Sequence, residues 1–87
     1  MAKLNELRSK VKEFEKKAGF DKTTAKELLE MLQKELDELK KEIGIESAAE
    51  HKLMDIQILL LQIANRYNAD LDNEWKRWFE KSKKYMR

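Results

Sequence analysis

The chain has 87 residues, 41% of them charged, with 19 Lys and Arg against 17 Asp and Glu, a net charge of +2, and neither cysteine nor proline. This excludes disulfide and thiolate chemistry and a polycation that coats nucleic acid, and it leaves room for one compact domain, residues 1–87. The uncharged run Ile56 to Asn65 is far shorter than the roughly 18 apolar residues of a membrane span, and the opening MAKLNELRSK has no apolar secretion core, so a cytoplasmic location and no membrane partner are expected.

Leu4, Leu7, Val11, Phe14 and Ala18 recur at three- and four-residue spacing, the stripe of an amphipathic helix, which Gly19 should end. Thr24 with Glu27 reads as a capping box. It opens a second helix whose stripe runs Ala25, Leu28, Leu32, Leu36, Leu39, Ile43 and stops at Gly44. Ser47 with Glu50 repeats the capping pattern before a third helix reaching about Tyr67, apolar around nearly its whole circumference and therefore central or shared with another subunit. Asp70 can cap a fourth helix with Leu71, Trp75, Trp78, Phe79 and Ser82 along one side, a core stripe. No strand alternation is present, and the connections are short, so the expected fold is an all-α four-helix bundle.

Two features stand out chemically. KELDELKKEI puts Glu35, Glu38 and Glu42 on one broad face of the second helix, where like charges repel unless a divalent cation or lysines lie among them. KLMDIQILLLQIA, the most apolar stretch, carries the aspartate Asp55, which needs compensation if it is buried. With the second and third helices antiparallel, Asp55 can meet Glu35 and Glu38 across the interface, as acids do in bundle-core metal sites. Glutamates taken alone would read as a solvated face balanced by Lys34, Lys40 and Lys41.

From about Leu4 to Tyr85 the sequence resembles the MazG-type all-α nucleoside triphosphate pyrophosphohydrolases. AGFDKTTAKELLEML resembles the family's entry into its second helix, and KELDEL its EExxE motif, with Glu35 and Glu38 at the ExxE positions. LMDIQILLLQIANRYNADLD is similar to the third helix and its turn, with Asp55 on the aspartate of ExxD, and FEKSKKY to the family's C-terminal end. The resemblance implies a bundle that dimerises through its helices and a Mg²⁺ site, Mn²⁺ being an alternative, with Glu35, Glu38 and Asp55 as ligands. It implies cleavage of a nucleoside triphosphate between the α and β phosphates, giving a monophosphate and pyrophosphate.

The sequence also departs from that pattern. Lys52 stands where the family has the glutamate of ExxD, Lys34 replaces the first glutamate of EExxE, and Ser82 takes the place of an asparagine. A lysine aimed at the cluster would repel a divalent ion while pairing with Glu35, Glu38 or Asp55. Catalysis, if present, turns on Glu38 and on where Lys52 points. If Lys52 occupies the site, no metal cofactor is needed and the chain is a catalytically silent relative that binds nucleotides or another protein. An unrelated helical interaction module is a third reading. Lys52 could instead bind a phosphate, and Glu42 or His51 could complete a weaker metal site, although His51 reads more simply as a surface residue.

WKRWFEKSKKYMR, residues 75–87, mixes six basic residues with four aromatics. Lys81, Ser82 and Lys84 are its candidate phosphate-binding residues, reached across a dimer. Core packing of the aromatics with solvated lysines is the simpler reading, and nucleic acid is disfavoured as a partner. The apolar surface of the third helix exceeds what its short neighbours can cover, so a homodimer or a dimer of dimers is expected. Abundant Lys and Glu suit a thermophile.

Overall fold

A computed structural model describes residues 3–86, apart from the side chains of Glu46 and Ser47. It contains α1 (Leu4–Ala18), α2 (Ala25–Glu42), α3 (Glu46–Arg66), α4 (Leu71–Ser82) and a 3-10 turn over Lys83–Tyr85, with no strand among the described residues. No helix among them is long and apolar enough to cross a membrane.

The punctuation residues act as their chemistry dictates. Gly19 takes the left-handed conformation at φ 79°, and the Phe20 N–H reaches back 2.8 Å to the Glu15 carbonyl, so α1 closes at a residue without a Cβ to clash. The Thr24 hydroxyl accepts from the Glu27 N–H at 3.1 Å while the Glu27 carboxylate accepts from the Thr24 N–H at 3.2 Å, the reciprocal box that starts α2. Asp70 accepts from the Asn73 N–H and caps α4. The third start differs from expectation: α3 begins at Glu46 with Ile45 in the N-cap position and no side-chain cap. Ser47 therefore lies inside its first turn, and the side-chain bonds of a Ser47–Glu50 box fall outside the described residues.

The third helix is central. It packs against α2 on one side and α1 on the other, burying Ile56, Leu59, Leu61 and Ala64 between them. Val11 from α1 and Leu28 from α2, the latter 1% exposed, complete the apolar core. One polar group lies at the centre of this packing. Glu15 has no solvent exposure, and its carboxylate is forked by Arg66 and accepts from the side-chain amides of Gln62 and Asn65, each at 3.2 Å. Arg66 also donates to the carbonyls of Thr23, at 2.6 Å, and Phe20, at 3.0 Å, and so ties the α1–α2 connection to the end of α3.

The α4 stripe does not become core. None of its residues is buried, and Trp75 and Trp78 remain 44% and 57% exposed. The physical reason is topological, because α4 leans on α1. Their first turns are laced together. Asp72 accepts from the N–H groups of Leu4 and Asn5, while the Asn5 side chain accepts from the Leu71 N–H and donates to Asp70. Each helix thus satisfies open backbone donors of the other. The result is a slab of 43 × 34 × 21 Å in which α4 extends an aromatic ridge from one end.

Candidate functional site

The α2–α3 interface is antiparallel, and it brings Lys52 in the second turn of α3 opposite Glu35 and Glu38 one turn apart on α2. The Lys52 ammonium lies 2.9 Å from Glu35 Oε2 and 3.4 Å from Glu38 Oε2, with its side chain only 14% exposed. Glu35 and Glu38 are 24% and 40% exposed, so the cluster is partly withdrawn from water. Glu35 Oε2 is itself buried and has no well-aligned hydrogen-bond donor, so the nearby ammonium is what compensates its charge. The pairing raises the Lys52 pKa above its ordinary value of 10.5, the close contact with the Glu35 carboxylate being the largest cause, against an opposing desolvation effect.

Asp55 stands apart from this cluster. Expected to face Glu35 and Glu38, its half-exposed carboxylate instead lies 3.6 Å from His51 Nε2, four residues earlier on the same helix. His51, one turn before Asp55 on the same helix, offers that carboxylate a partner at the solvent-exposed rim. His51 is exposed, with 80% of its side chain in solvent, as a surface residue near a helix start. Glu42 sits half-buried beyond the cluster and Lys34 is exposed on the outer face of α2. Lys81 and Lys84 are exposed and Ser82 half-buried at the far end of α4, and neither lysine joins an ion pair among the described residues. The Lys84 ammonium lies over the Tyr85 ring at 5.2 Å.

A divalent cation requires several converging oxygen ligands. Here the space between Glu35 and Glu38 holds an ammonium, the third acid points elsewhere, and among the described residues no group of three or more His, Asp and Glu side chains is placed to hold a metal. As arranged, the residues do not fit a resident Mg²⁺ or Mn²⁺.

Sequence reasoning reached Lys52, Glu35 and Glu38 but passed over the Glu15–Arg66 pair. The signal was available in the spacing: Glu15 lies four residues after Val11 and three before Ala18, on the side of α1 that turns toward α3. Comparison with known proteins adds no relative: no family model, no characterised protein and no solved structure matches this chain.

Proposed function

We propose that this chain is a catalytically silent, MazG-like helical module in which the Lys52 ammonium takes the place of a metal ion and the fold serves to bind a partner, a second copy of itself first of all. The observation that supports this reading is the position of the ammonium between Glu35 and Glu38. An acid pair already neutralised from within has little remaining attraction for a divalent ion, and a cation brought there must overcome both the repulsion and the loss of two short ion pairs. The pyrophosphohydrolase that the sequence resemblance implies would require Lys52 to swing out and Asp55 to turn inward.

A nucleotide remains within the reach of this module as a ligand rather than a substrate, held by Lys81, Ser82 and Lys84, although these lie at the end of α4 and in the 3-10 turn after it, not beside the acid pair. Release of pyrophosphate from the common nucleoside triphosphates, assayed with Mg²⁺ and with Mn²⁺, decides between the readings. The silent module gives none. Turnover that disappears in Glu38→Gln would establish the hydrolase.

A further inference from the structure

Two apolar features of this chain have no occupant among the described residues. One is concave, a groove of about 620 Å³ between α1 and α3 lined by Leu4, Leu7, Val11, Phe14, Met54 and Ile58 among others. The other is convex, the ridge of α4 on which Trp75 stacks against Trp78, 5.4 Å between ring centroids, and against Phe79 at 5.9 Å. From this pairing we infer that two copies associate by exchange, the Trp75–Trp78–Phe79 ridge of each lying in the α1–α3 groove of the other. The inference rests on reading the chain as an interaction module that binds itself.

Shape selects this arrangement over the simpler one in which two grooves face each other. Groove against groove would enclose a void, whose lining atoms lose their packing partners. A helix that lays its apolar side chains into a hydrophobic groove leaves none, and it is a recurrent mode of recognition. The amount of surface selects reciprocity. At about 150–250 Å² for an aromatic side chain, the exposed halves of Trp75 and Trp78 carry on the order of 100 Å² each. One ridge in one groove, with Leu7, Phe14 and Met54 also about half exposed, therefore covers only several hundred Å² in total. Two such contacts in a closed twofold dimer approach the roughly 1,200 Å² at which specific interfaces begin. Among the described residues Lys10 is the only charged residue of the groove lining, so the contact is chiefly apolar; the basic residues that flank the ridge repel Lys10, and the association should therefore tighten as salt screens them.

Sedimentation velocity on the full chain tests the exchange. The wild type sediments as a dimer at micromolar concentration. Trp78→Glu, on the ridge, and Met54→Glu, in the groove, are both at solvent-exposed positions, so each keeps its helical circular dichroism while associating about 30-fold more weakly or worse. A mixture of the two variants recovers part of the association, because that pair retains one intact ridge and groove. Leu29→Glu, on the exposed side of α2, stays dimeric. A monomeric wild type, a Trp78→Glu protein that dimerises normally, a mixture without recovery, or a monomeric Leu29→Glu would each overturn the exchange. None of these results bears on Lys52, and pyrophosphate release by the dimer would overturn the silent site while leaving the interface intact.

Discussion

Lys52 and Arg66 are both cations set against glutamates, yet burial gives them different energetic weight. The Lys52 pair is partly wetted. With its pKa held above 10.5, chiefly by the close contact with the Glu35 carboxylate, Lys52 stabilises the fold in full from neutral pH up to about 10.5, and the contribution fades as pH rises from there through the higher folded-state value. The gap in melting temperature between wild type and Lys52→Met should therefore stay constant from neutral pH to about 10.5 and narrow only above it. A gap that closes already in mildly alkaline buffer would contradict the pairing. Arg66 faces a carboxylate with no exposure at all. Arg66→Met strands that charge and should cost about 3–5 kcal/mol, a drop of more than 10 °C in melting temperature for a domain of about this size. The double variant Glu15→Met, Arg66→Met removes both charges and should be markedly less damaging than the single one, measured by chemical denaturation. Lys52 was legible only through the family resemblance, in which it stands at the glutamate position of ExxD, and not through helical periodicity. The Asp55 carboxylate pairs with His51 one turn earlier on its own helix, a local partner that competes with the cross-helix one and that the apolar pattern does not rank.

At the scale of elements, the helix boundaries set by local chemistry were readable: the Gly19 close, the Thr24–Glu27 box and the Asp70 cap all depend on residues within a few positions of one another. Interactions between distant segments were not. Nothing within α1 announces that Asp72, from the other end of the chain, accepts from its first N–H groups. Asp72→Ala should cost about 1 kcal/mol, as loss of a helix cap does, and should loosen α4 along with α1. Amide exchange is the measurement: faster exchange at Leu4 and Asn5 and also through α4 is expected, whereas a change confined to α4 would remove the case for cross-capping. Asp70 adds a pH dependence. Its pKa is lowered from 3.8, mainly by the Asn5 side chain and then by the Asn73 N–H, so its stabilisation is complete above 3.8 and is lost as pH falls through the lower folded value. The Asp70→Ala protein should lack that part of the acid-side loss.

Taken whole, the chain is too open for its length. A compact domain of this size has a radius of gyration of about 12 Å, against the 14.9 Å found here. Apolar stripes that predicted a closed four-helix core end half-exposed at Leu7, Phe14, Leu36, Met54, Trp75 and Trp78. Periodicity tells which residues share a face but not whether anything covers it, which is why the α4 stripe read as core and stands as a ridge. If association covers these faces, the melting temperature should rise with protein concentration by mass action, and a midpoint independent of concentration would argue for a self-sufficient monomer.

The central claim is that Lys52 fills the position between Glu35 and Glu38 that a divalent cation would otherwise take. Calorimetric titration of Mg²⁺ and Mn²⁺ into the wild type and into Lys52→Glu tests it most directly. The account predicts no binding by the wild type and binding gained by the variant, in which a third carboxylate replaces the ammonium. Tight, saturable binding of either ion by the wild type would contradict it.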